Sequence, residues 1–182
     1  MKTRLAAVAL AAATLTLPTW AQTQKVKLDT SLGAIVLELD RDKAPKTVDN
    51  FVQYVKAGHY DGTIFHRVIA DFMVQGGGMK PDMSEKPTRP PIPLESRNGL
   101  SNVRGSVAMA RTLVPDSATA QFFINVKDNP FLDQANSRDG NGYAVFGKVV
   151  AGKIRSVPVA DKAGHQNVPL APVTIKKATL EK

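Results

Sequence analysis

Apolar and polar residues alternate over 25–29 and again over 34–40, placing Val26 and Leu28, then Ile35, Leu37 and Leu39, on one face of an extended chain. That period of two, with Thr30-Ser31-Leu32-Gly33 between the runs, predicts a β-hairpin. The pattern then changes. Val48, Phe51, Val52 and Val55 recur at helical spacing, Pro45 stands where a first helical turn tolerates a missing N–H, and Gly58 can end the helix. Short strand patterns come next at 64–69 and 72–75 and, after a break, at 106–110, 121–126, 144–150 and 173–180. The break opens with Gly76-Gly77-Gly78 and carries Pro81, Pro87, Pro90, Pro91 and Pro93, which forbid regular ladders and predict a long loop. Ile92 and Leu94 near its end predict that it is tied to the body of the protein rather than linking two domains. About eight strands and one clear helix predict a mainly β domain, a closed barrel or a sandwich.

The first residues fit none of these periods. Lys2 and Arg4 precede an apolar run over 5–17, and Pro18-Thr19-Trp20-Ala21 ends in a small residue. This is the layout of a secretory signal peptide, expected to be cleaved after Ala21. The run is shorter than the ~20 apolar residues a membrane-spanning helix needs, so no span is expected. Residues 22–182 are then a single exported domain, in the periplasm or outside the cell. The full chain of 182 residues, 43% hydrophobic and 22% charged, suits one domain. Its formal charge of +8 falls to +6 without Lys2 and Arg4. No clustered basic tract with interleaved aromatics accompanies that charge, so nucleic acid is not an expected partner. The absence of cysteine excludes disulfides, thiolate metal sites and a cysteine nucleophile.

Most familiar chemistries fail on motif. His59, His66 and His165 have no metal-ligand spacing and are expected to be structural. There is no Gly-x-Ser-x-Gly turn, and Gly76-Gly77-Gly78 lacks the Lys-Ser/Thr of a phosphate loop. Two segments stand out: Phe65-His66-Arg67-Val68-Ile69 followed by Phe72-Met73-Val74-Gln75-Gly76-Gly77, and Gln121-Phe122-Phe123-Ile124. Strand alternation would put Phe65, Arg67 and Ile69 on one face, a long cation among apolar neighbours.

These segments, with Gly105-Ser106-Val107-Ala108-Met109-Ala110-Arg111, Phe131-Leu132-Asp133 and Val145-Phe146-Gly147-Lys148, resemble in order the signature blocks of the cyclophilin family of peptidyl-prolyl cis-trans isomerases. The resemblance implies an eight-stranded closed antiparallel barrel capped by helices, binding proline-containing peptides and unfolded exported proteins in an outer groove. It implies no cofactor and no metal, and a monomer is expected. Carried over by position, Arg67 would be the catalytic arginine. Phe72, Met73, Phe123 and Leu132 would take the proline ring, and Gln75 and Gln121 would bond the peptide backbone. Ala110 would flank the groove and Arg111 would present its main chain to the peptide.

The sequence departs from the best-known members of the family at several points. Arg111-Thr112 replaces Asn-Ala. Phe131 stands where drug-sensitive members carry the tryptophan that donates to cyclosporin, so weak cyclosporin binding is expected. Tyr143 replaces a histidine at the groove. The short stretch 151–158 leaves little room for a second capping helix. The replacements at Phe131 and Tyr143 resemble the bacterial exported branch. The alternative is an exported proline-peptide-binding chaperone with little turnover, and the presence of Arg67 speaks against it.

Overall fold

The computed structural model describes residues 24–152, 157–162 and 164–181, so the leader expected over 1–21 lies outside the described residues. The chain begins with strands β1 (Gln24–Thr30) and β2 (Gly33–Leu39), which pair antiparallel as expected. Helix α1 (Pro45–Lys56) is next, then β3 (Ile64–Val68), β4 (Met73–Met79), β5 (Ser106–Met109) and β6 (Phe122–Asn125). A 3-10 turn at Pro130–Leu132 precedes β7 (Val145–Ala151), β8 (Val159–Lys162), β9 (His165–Pro169) and β10 (Ile175–Glu181). Eight strands form one antiparallel sheet in the order β10-β1-β2-β7-β5-β6-β4-β3, and β8 pairs only with β9.

The sheet curls but does not close, which corrects the expected closed barrel. Its edge strands β3 and β10 approach at a single antiparallel bridge, Ile64 with Thr174, flanked by hydrogen bonds from Phe65 N to Val173 O (2.9 Å) and from Ile175 N to Thr63 O (2.8 Å). Beyond that bridge β3 is met by the β8–β9 hairpin, where Val168 packs with Ile64, Met79 and Met83. The hairpin follows the stretch 151–158, of which 153–156 lie outside the described residues. Among the described residues α1 is the only α-helix, so of the expected capping helices one is seen.

The interior matches the predicted periods. Val26, Leu28, Ile35, Leu37 and Leu39 join Val48, Phe51, Tyr54 and Val55 of α1 in one core with Phe122, Ile124 and Phe146. Phe122 meets the rings of Phe51 and Tyr60 edge-on at 5.4 and 5.6 Å, a favourable geometry for rings of opposite edge and face charge. At the amino end of α1, Ala44 supplies no side-chain cap and the first turn holds no acidic residue. Glu95, from the proline-rich loop, takes both roles: its carboxylate accepts from Lys46 N (3.2 Å), Thr47 N (2.8 Å) and Thr47 Oγ1 (2.7 Å). The loop is therefore tied down, as its apolar end predicted, but chiefly by polar contacts.

Candidate active site

The groove residues are sorted by strand alternation. On β4, Val74 enters the core while Met73 and Gln75 face outward; on β6, Phe122 and Ile124 enter and Phe123 faces outward; on β5, Val107 and Met109 enter and Ala108 faces outward. The outward residues Met73, Ala108 and Phe123 meet Leu132 and Val145 in a second apolar cluster, separate from the core. Phe72, Ala110 and Tyr143 pack on it half-buried, with Ile69 and Leu100. Of these, Ala108, Val145, Leu100 and Ile69 were missed by the sequence reading, although Ala108 lies two residues from Ala110 on the same strand face.

Arg67 reaches this face through a bulge. Phe65 pairs with Gly76 but Arg67 pairs with Gln75, so His66 is an extra residue on β3. A bulge of this kind shifts the phase of the alternation and re-aims the side chains beyond it. Phe65 and Val68 therefore both belong to the core, while Arg67 faces outward. The expectation that Phe65 and Arg67 share a face is corrected. A second irregularity, between Ile64 and Phe65, leaves Gly77 and Gly78 unpaired, and the glycine run belongs to β4 rather than opening the loop. Its lack of side chains is required: a Cβ on Gly78 would stand 2.5 Å from Cγ of Gln121, which lies across it.

The polar residues converge there. Gln75 Nε2 donates to Gln121 Oε1 at 2.9 Å, leaving the Gln75 carbonyl and the Gln121 amide N–H groups able to bond a ligand. The Arg67 guanidinium carbon stands 5.9 Å from the ring centroid of Phe72. Among the described residues Arg67 has no carboxylate partner. Arg67, Gln75 and Gln121 line an open cleft of about 510 Å³ with His66, Met79 and, from the hairpin, His165 and Gln166. His66 is buried, its Nδ1 has no hydrogen-bond partner, and its ring is 6.4 Å from that of His165. Burial, then the neighbouring His165 and Arg67, lowers it to about 4, so it is neutral near pH 7.

The far side of the apolar cluster is held by the 3-10 turn. Leu132 N donates to Asn129 O (2.9 Å), and Asn129 Nδ2 donates to Phe72 O (2.9 Å) and Asn125 Oδ1 (2.7 Å). Asn125 Nδ2 reaches Asn102 Oδ1 and Ser106 Oγ, and Asn102 donates twice to Asp133. This buried amide network joins Phe72 to the turn that carries Leu132. No period or motif signals it. Phe131, 54% exposed, stacks on Phe72 at 5.6 Å, and Tyr143 meets Phe123 edge-on at 5.5 Å. Arg111 retains exposure on its main chain while its side chain is buried. Of the eleven residues expected at the site, Phe72, Met73, Ala110, Phe123, Leu132 and Tyr143 meet in the apolar cluster, with Phe131 on Phe72 and Arg111 on Tyr143, while Arg67, Gln75 and Gln121 line the cleft next to Phe72. No group of three or more metal-ligating side chains occurs among the described residues.

An apolar cluster beside two amides and a guanidinium that has no carboxylate partner among the described residues can bind a ring and orient a peptide. The family model for cyclophilin type peptidyl-prolyl cis-trans isomerase/CLD matches residues 25–180. The chain is 57% identical over 161 residues to peptidyl-prolyl cis-trans isomerase cyp18 of Streptomyces antibioticus, covering 85% of this chain and 97% of that one. It is 50% identical over 161 residues to peptidyl-prolyl cis-trans isomerase B of Escherichia coli K12, covering 85% and 98%. Its fold matches a cyclophilin type peptidyl-prolyl cis-trans isomerase of Cryptosporidium parvum, crystallised in the presence of the dipeptide Ala-Pro, with a TM-score of 0.71, 26% identity and coverage of 87% and 99%. The chain therefore belongs to the cyclophilin family, and it is a peptidyl-prolyl cis-trans isomerase.

Proposed function

We propose that the enzyme seats the proline ring of a peptide in the cup of Phe72, Met73, Phe123 and Leu132 and lowers the rotation barrier with Arg67. Rotation about an X-Pro bond costs ~18–20 kcal/mol because amide resonance must be broken, and uncatalysed exchange takes roughly tens to hundreds of seconds. No covalent bond has to form. The twisted amide is less charge-separated than the planar one, so an apolar cup favours it relative to water. Its nitrogen recovers a lone pair and becomes an acceptor, and a guanidinium aimed at that nitrogen binds the twisted state better than the planar state. Gln75 and Gln121 hold the peptide backbone, and the exposed main chain of Arg111 extends that contact.

The observation that carries this reading is the placement of Arg67 by the β3 bulge, without a carboxylate partner, at the edge of the cup beside Phe72. Clients are proline-containing segments of exported proteins, reached in the periplasm after removal of residues 1–21, and the enzyme acts as a monomer. Turnover and peptide binding measured side by side on Arg67→Ala test it. Turnover is expected to fall much further than binding. A parallel fall in both would make Arg67 a binding residue only.

A further inference from the structure

Arg111 was expected to serve through its main chain, yet its side chain is the more constrained part. It is 2% exposed although it stands beside the groove. All three of its nitrogens donate: Nε to Gly142 O at 2.8 Å, Nη1 to Thr112 O at 2.9 Å, and Nη2 to Asp139 Oδ2 at 2.5 Å. The guanidinium carbon stands over the ring of Tyr143, 4.7 Å from its centroid. One planar cation thus grips its own loop, the carboxylate and carbonyl of the 139–142 segment, and an aromatic ring. Only an arginine offers this combination of fixed donors and stacking face.

The gripped segment adjoins the apolar cluster. Tyr143 packs edge-on against Phe123, and Tyr143 N donates to Leu132 O at 3.0 Å. The 134–143 segment is wound tightly: at Gly142, with φ +65°, a Cβ would stand 2.5 Å from Gln134 N. The second carboxylate oxygen of Asp139 accepts from the backbone of Asn141 (3.0 Å) and Gly142 (3.2 Å), so the acid organises the turn that Arg111 holds. The hydrogen bond from Arg111, with those from Asn141 and Gly142, holds the Asp139 carboxyl well below the usual carboxylate range, so the grip persists in mild acid.

We propose that Arg111 is a positioning residue of the proline pocket: its side chain clamps Tyr143 and the 139–142 turn, and through them sets Phe123 and Leu132 at the spacing that accepts a proline ring. This rests on the assignment of Phe123 and Leu132 to the cup. The contacts of Phe123 and Leu132 with the ring itself are the same in the planar and twisted states and contribute uniform binding, so loosening them raises KM and spares kcat.

The test is the kinetics of Arg111→Lys and Asp139→Asn on a proline tetrapeptide anilide, with Tm recorded for each. Arg111→Lys keeps the charge but loses the fork; its KM is expected to rise roughly tenfold, with kcat within about twofold of the parent. Asp139→Asn, at a part-exposed position, should show a smaller rise in KM in the same sense. Glu95→Ala, which loosens α1 at its Glu95 cap, should lower Tm and leave KM unchanged, separating positioning from general stability. If Arg111→Lys fails to fold, the KM of Asp139→Asn decides. An unchanged KM in the folded variants overturns the clamp. Should the clamp fail while Arg67→Ala still loses turnover, the assignment of the cup survives; full turnover by Arg67→Ala would instead defeat the assignment of the site.

Discussion

His66 sits in the bulge that turns Arg67 outward, buried and without a partner for Nδ1. A histidine near its ordinary pKa of about 6.5 in the unfolded chain, but lowered to about 4 in the fold, takes up a proton on unfolding between those values. Its neutral form costs nothing above pH 6.5. Stability is then lost as the pH falls from 6.5 toward 4, by at most about 3 kcal/mol. His59, also lowered by burial, adds in the same direction. Chemical denaturation at pH 7.5 and 4.5 should show a clear drop for the parent and a smaller one for His66→Gln, whereas equal drops would mean that His66 does not carry the effect. Phe131 makes a second residue-level case. It is exposed, stacked on Phe72, and has no polar donor. The ligand acceptor that a tryptophan indole would satisfy is left unpaired, at a cost of about 1–3 kcal/mol. Phe131→Trp is therefore expected to tighten cyclosporin inhibition roughly ten- to a hundredfold with little change in peptide turnover. Equal inhibition of the two proteins would show that Phe131 does not meet the drug.

Helix α1 shows what a regular element can borrow from an irregular one. Its apolar stripe and Pro45 are visible in the sequence, but its cap is Glu95, separated from Thr47 by 48 positions. Glu95→Ala removes a charge-assisted cap and a favourable charge at the positive end of the helix dipole, and is expected to cost about 1–2 kcal/mol, seen as a lower Tm. An unchanged Tm would mean that water replaces the carboxylate. The same distinction explains what could be read from sequence. β1, β2 and α1 keep strict periods. The β8–β9 hairpin does not: all four residues of β8 are exposed, so no apolar alternation announces it. The bulge at His66 was hidden because alternation carries no marker for one extra residue, and the face of Arg67 was misjudged for that reason alone. Asn102, Asn125 and Asn129 each look like turn residues, and only the folded chain joins them into one network.

Across the whole molecule, the curled sheet uses both faces where β4, β5 and β6 meet. One face closes the core and the other carries the outward residues of the site, with polar Gln75 within β4 and Gln121 just before β6 bonded to each other on that side. The order of signature blocks made the family and most of the groove legible, since each block is a strand or turn whose outward residues converge. Open edges, the hairpin and the side-chain clamp of Arg111 depend on contacts between distant segments and left no local trace. Among the described residues no helix is long and apolar enough to cross a membrane. Contacts with the ring hold proline whether or not the amide is twisted, whereas the apolar surroundings of the amide and a donor to the prolyl nitrogen both favour the twisted state, and the donor is the part that one substitution removes. The rate of isomerisation of one proline peptide by the parent, Arg67→Ala and Arg67→Lys measures that distinction directly. Loss of a single preorganised donor is expected to lower kcat/KM by about 10²–10³ in Arg67→Ala, with little recovery in Arg67→Lys, whose ammonium lacks the planar fork. An Arg67→Ala enzyme that isomerises at the parent rate would contradict the account.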